Sequence, residues 1–108
     1  MPASNSRSNY EEVAVLKRLL VQSKAFERGA KRFLKKNPDL ADDLRAALEC
    51  LTADAFHPGL KTHKLKGKLK GSWACSAGYD LRIVFSFVRH EASEAILLEA
   101  VGSHDEVY

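Results

Sequence analysis

Five residues in the second half of this 108-residue chain bear side chains that can move a proton or hold a phosphate: His63, Asp80, Arg82, His104 and Tyr108. Imidazole, with an unperturbed pKa of about 6.5, serves as base or acid near neutrality. Asp80 and Arg82 stand two apart in a strand-like run, which predicts a shared face and a backbone separation of roughly 7 Å. Lys64, Lys66, Lys68 and Lys70 take every second position of HKLKGKLKGSW, which contains KLKG twice. If the strands pair as a meander, His63, Asp80, Arg82 and His104 converge on one face, with the lysines along its rim. Such a cluster can transfer protons beside a phosphate. It lacks the paired carboxylates of a two-metal nuclease and the P-loop of a nucleotidase. Neither a metal nor a cofactor is expected.

Each residue alone has a plainer reading. A histidine near a strand end sits on the surface, and Asp80 with Arg82 makes a same-face ion pair worth under about 1 kcal/mol. Tyr108, as the last residue, frays by default. Trp73 reads as a sheet-packing residue, and His57 and His90 fall in loops without a role.

Charge distribution says more than net charge once the segments are separated. Residues 1–56 hold ten Lys/Arg against eight Asp/Glu, interleaved as on solvated helices. From His57 to Tyr79 there are five lysines and no acid. A one-sign segment attracts polyanions, of which nucleic acid is the commonest in a cell, although a lysine-rich loop also serves solubility.

Cys50 and Cys75 lie in apolar contexts outside any C-x-x-C pair, which argues against a disulfide scaffold or a zinc site and for a reducing cytoplasm. Neither has the local basic setting that favours a thiolate. No apolar run approaches the roughly 20 residues of a membrane span, and no signal-peptide core opens the chain.

The elements that must position these residues follow from the pattern. Residues 1–15 read as a flexible arm and 16–108 as one domain. A strand is expected over about 16–22. Ser23 N-caps a helix to about Lys36, with Phe26, Ala30, Phe33 and Leu34 on its inner stripe. Asn37 and Pro38 restart the chain as N-cap and first helical residue of a second helix ending near Thr52. Extended segments follow at about 62–66 and 73–77, with Gly67 and Gly71 bracketing a turn. Asp80–Val88 alternates as a strand, residues 89–94 form a loop, and Ala95–Val101 closes the sheet. The fold class is α+β, with a helical hairpin on one face of an antiparallel sheet.

Taken in order, HKLKGKLKGSWACSAGYDLRIVFSF and ILLEAVGSHDEVY resemble the RelE/ParE superfamily of bacterial type II toxins. Within it, the chain is most similar to the YafQ-like and RelE/StbE-like mRNA endoribonucleases (mRNA interferases), over about residues 18–108. The carrying motifs are H-x-L-x-G, G-x-W, Y-D-x-R-I-V-F and G-S-H-D-E-V-Y. The resemblance implies a RelE-like β-α-α-β-β-β domain that cuts mRNA, commonly on the ribosome, and that an antitoxin neutralises in a hetero-oligomer. By position, His63 and His104 match catalytic histidines, Asp80 an aspartate and Tyr108 a closing aromatic. Arg82 and the four lysines resemble residues that hold phosphate. One position departs: Ser76 stands where such toxins carry histidine or arginine.

The chemistry so implied is transesterification. The ribose 2′-hydroxyl attacks phosphorus and the 5′-oxygen leaves, so the protein need supply only a base, an acid and cations. Three rivals share some features. A ParE-like gyrase inhibitor would need no histidines, a weakened toxin kept for antitoxin binding would fit Ser76, and a plain RNA-binding domain leaves SHDEVY unexplained.

Overall fold

Leu19–Gln22 forms the first strand, β1, and Ser23 turns the chain directly into a helix. A computed structural model describes residues 18–108. The expected arm over 1–15, and residues 16 and 17 of the expected strand, lie outside the described residues. Helix α1 spans Lys24–Lys36, and the Ser23 hydroxyl accepts the Phe26 N–H at 3.0 Å, satisfying one donor that a helix start leaves orphaned. Phe26, Gly29 and Phe33 are buried on the inner face, with Ala30 and Leu34 packed beside them. Gly29 marks a close approach. A Cβ there would meet the Val101 carbonyl oxygen at 3.0 Å, so α1 lies directly on the last strand.

The second helix does not begin as expected. Asn37 Nδ2 donates back to the Phe33 carbonyl at 3.1 Å, closing α1, because the last carbonyls of a helix compete for the same side chain. Pro38–Leu40 then makes a 3-10 turn that leads into α2, Ala41–Ala53. This helix buries Leu44, Ala47 and Leu51. The two helices and the sheet enclose one core, in which Phe26, Leu51, Leu81, Ile83, Phe85, Ile96 and Leu98 are nearly inaccessible. Full burial of each such side chain stabilises the fold by about 1.5–3 kcal/mol.

The sheet has five strands in the order β1-β5-β4-β3-β2, where β2 is His63–Lys64, β3 Trp73–Ser76, β4 Arg82–His90 and β5 Ser93–Gly102. The four strands β2 to β5 pair antiparallel, as expected of a meander. β1 is the exception: it reaches the sheet through the helical crossover and lies parallel to β5. Among the described residues no helix is long and apolar enough to cross a membrane.

Three boundaries differ from the sequence reading. The loop expected at 89–94 shrinks to Glu91 and Ala92, both with positive φ (53° and 74°), a pairing that fits the twist of a two-residue hairpin and lets both strands lengthen. Strand β3 stops at Ser76. Strand β4 begins at Arg82 and not at Asp80, because Gly78 (φ 85°) and Asp80 (φ 53°) bend the chain and the Ala77 N–H donates to the Leu81 carbonyl at 2.8 Å. Val84, which alternates with Ile83 and Phe85 along the strand, is buried as well, and a register shift between Val84 and Phe85 interrupts the alternation. The chain ends in a short helix, α3, His104–Val107.

Candidate active site

Arg82 lies between Ser76 and Gly102 in the sheet, paired with one across β3–β4 and with the other across β4–β5. Since α3 opens just beyond Gly102, this row brings Arg82 and His104 to the same end of the molecule. Asp80 arrives from the turn and not along the strand. Its Oδ1 accepts the backbone N–H of His104 at 3.1 Å, and the Ser103 N–H donates to Glu106 Oε1 at 2.8 Å. Carboxylates at both positions satisfy donors at the start of a helix only four residues long.

Tyr108 does not fray. Its N–H donates to the His104 carbonyl at 3.1 Å, and its ring meets the His104 ring edge-on, with centroids 4.6 Å apart. Burial raises the phenol's pKa above its ordinary value, and the Arg82 charge opposes that rise. The hydroxyl therefore stays protonated at neutral pH.

A cleft of about 360 Å³ opens beside this group, lined by Lys61, Ser76, Gly78, Tyr79, Asp80 and Arg82. Two of its residues went unnoticed in the sequence. Tyr79 is 94% exposed, and a signal for it exists, since an aromatic residue next to glycine at a turn tip has little to pack against. Lys61 has no such signal. The 3-10 turn Pro58–Leu60 is what carries it back over β3.

His63 stands apart from the cluster. It pairs with Ala74 from the edge strand, on the same face as Ser76 and Arg82 but two strands across and two residues along, roughly 12 Å from Arg82 by strand geometry. Its Nδ1 lies 3.0 Å from the Lys61 carbonyl oxygen. A carbonyl only accepts, so Nδ1–H is the donor in this contact and Nε2 is left for another partner.

The lysines do not form one extended row. A 3-10 turn at Gly67–Leu69 breaks the alternation, and Lys64, Lys66 and Lys70 rim a second cleft, of about 430 Å³, with Leu65, Ser72 and Trp73 in its lining. Lys68 lies outside that lining. Lys64 Nζ stands 5.6 Å from the Trp73 ring centroid. Trp73 itself packs edge-on against Phe56 and Phe87, as a sheet-packing residue should. Among the described residues no carboxylate forms an ion pair with any of the four lysines. The acid that anchors their loop is Glu99, which accepts from Ser72 Oγ at 2.7 Å and Ser86 Oγ at 3.1 Å. Nothing in the local sequence announces that contact. Among the described residues no three His, Cys, Asp or Glu side chains stand together as metal ligands.

Residues 18–108 match the model of a family described as the bacterial toxin of type II toxin–antitoxin systems, YafQ. No curated protein sequence matches the chain. A metal-bound toxin from Helicobacter pylori is 30% identical, with a TM-score of 0.67 over 84% of this chain and 99% of that one. YafQ from E. coli strain BL21(DE3) is 16% identical, with a TM-score of 0.70 over 85% and 99%. A chain of the E. coli DinJ-YafQ toxin–antitoxin complex is 17% identical, with a TM-score of 0.68 over 85% and 98%.

Proposed function

The chain belongs to the YafQ family of bacterial type II toxins, and we propose that it cleaves mRNA by attack of the ribose 2′-hydroxyl, without a resident metal, and that a cognate antitoxin holds it inactive. The observation that carries this reading is the run of contacts from the cleft-lining Asp80 and Arg82 to the last helix, where the Asp80 carboxylate accepts the His104 N–H and the His104 ring meets that of Tyr108. In this account His104 takes the 2′-hydroxyl proton as the 2′-oxygen bonds to phosphorus. The bond to the 5′-oxygen breaks, and that oxygen leaves with a proton from an acid on the far side of the phosphate. His63 takes that second role as its imidazolium, with Nδ1–H on the Lys61 carbonyl and Nε2–H giving its proton to the leaving oxygen.

Arg82 and the lysines bear the charge that builds on the phosphate oxygens. Asp80 is a positioning residue whose carboxylate holds the start of the His104 helix. Tyr108 supports the His104 ring and offers its hydroxyl to the RNA. The 2′,3′-cyclic phosphate and the free 5′-hydroxyl are the products.

Induction of this chain without its antitoxin is the test at the level of the cell. The reading expects growth arrest with loss of translated transcripts. An SOS response with intact transcripts would instead indicate a gyrase inhibitor and remove the nuclease reading.

A further inference from the structure

Four non-glycine residues of the described chain have positive φ: Lys61, Asp80, Glu91 and Ala92. Glu91 and Ala92 are the hairpin pair, where the turn requires it. Lys61 and Asp80 are not in a two-residue hairpin. They come from different segments, and both line the cleft that contains Ser76 and Arg82. Left-handed backbone at a residue with a Cβ costs free energy and persists where its surroundings over-determine it, often at a functional site. At Lys61 (φ 53°) the backbone is held on both sides. Its N–H donates to the Pro58 carbonyl at 3.2 Å, and its carbonyl takes the His63 Nδ1 proton at 3.0 Å. Glycine would make that turn at lower cost, so what lysine adds is its side chain.

The charges in the cleft indicate what that side chain does. Lys61 and Arg82 are its two cations, and Ser76 supplies a hydroxyl. The one carboxylate in the lining, Asp80, is engaged by the His104 N–H. We propose that Lys61 is a phosphate-binding residue, whose ammonium forms with the Arg82 guanidinium a two-cation cradle for an RNA phosphate, while its carbonyl orients the His63 ring through Nδ1. This inference rests on the nuclease reading for its ligand, but it assigns a residue and a role that the reading does not need. An ammonium and a guanidinium suit a phosphate together, since one gives a compact charge and the other a planar pair of donors.

The test uses the full chain and its Lys61→Gly and Lys61→Arg variants. The probe is a short fluorescent oligoribonucleotide made uncleavable by 2′-O-methylation, with binding followed across salt concentration and each protein melted in parallel. Lys61→Gly is expected to melt at or above the wild-type temperature, because it relieves the left-handed backbone. It should nevertheless bind the probe about tenfold more weakly, with a salt slope shallower by about 0.7. Lys61→Arg should recover most of the affinity. Unchanged affinity and slope in Lys61→Gly would overturn the proposal, as would a loss of binding that only tracks a fall in melting temperature. Cleavage of the unmodified RNA separates the two ideas. A wild type that binds but does not cut leaves the cradle standing and removes the nuclease. A wild type that cuts no better than Lys61→Gly does the reverse, and one that neither binds nor cuts removes both.

Discussion

The Asp80 carboxylate holds the backbone N–H of His104 at 3.1 Å and so ties the β3–β4 turn to the last helix. Asparagine tolerates the left-handed backbone of this position and keeps an oxygen that can accept the same bond. Asp80→Asn should therefore melt like wild type and cleave RNA within about tenfold of it. Asp80→Ala loses the acceptor and strains the turn, and should lower stability by about 1 kcal/mol and activity further than Asn. A loss of about 10²–10⁴ in Asp80→Asn with an unchanged melt would mean that the negative charge itself takes part in proton transfer.

Tyr79 presents an almost wholly exposed ring at the mouth of the Lys61–Arg82 cleft. An aromatic face there gives a base something to stack on, worth about 1–3 kcal/mol. Tyr79→Ala should weaken binding of an uncleavable RNA by that amount with no change in salt slope, and Tyr79→Phe should bind as wild type. Titrations of the three proteins check it. Equal affinities would show that the ring takes no part.

Reversal of Lys66, Lys68 and Lys70 to glutamate tests the partner when it is read by complex formation and not by cleavage. An acidic antitoxin segment that folds over the lysine loop would lose its electrostatic complement. Co-purification with the small protein encoded beside this chain should then fail at physiological salt. A complex as tight as that of wild type would place the antitoxin elsewhere.

Cys75 makes the fold sensitive to alkali. Burial, with Cys50 adding to it, pushes the Cys75 thiol up from 9.0 to about 12. A folded-state pKa above the unfolded one gives stability that is complete below about pH 9 and lost as pH rises toward 12, by up to about 1.4 kcal/mol per pH unit. Tyr108 acts in the same direction, its phenol being raised as well. Urea melts from pH 8 to 11 should show the fall, and Cys75→Ala should flatten most of it. At neutral pH a thiol reagent should reach the half-buried Cys50 first and Cys75 only on unfolding.

What could be read from sequence divides by the range of the contacts involved. Ser23 as a cap, the Phe26–Phe33 stripe and the alternation of Leu81, Ile83 and Phe85 are local patterns, and the fold contains all of them. The quartet Asp80, Arg82, His104 and Tyr108 was nameable from motif order, but its geometry was not. Asp80 reached the cleft through two positive-φ residues that no alternation pattern encodes. His63 was expected to join the cluster, and sheet order leaves it at the edge because β2 pairs only with β3. Lys61 and Glu99 depend on contacts between distant segments, a 3-10 turn folding back in one case and, in the other, one serine of the lysine loop and one of β4.

The central claim is that His104 carries the proton transfer of an RNA-cleaving toxin. His104→Ala keeps the backbone N–H that Asp80 accepts, so the fold should survive, with a melting temperature close to wild type. Primer extension on a translated message, read for wild type and His104→Ala at equal protein levels, measures the claim directly. The account predicts discrete cleavage products with wild type and a loss of about 10²–10⁴ in their rate with the variant. Wild-type cleavage at wild-type rate from a folded His104→Ala protein would contradict it.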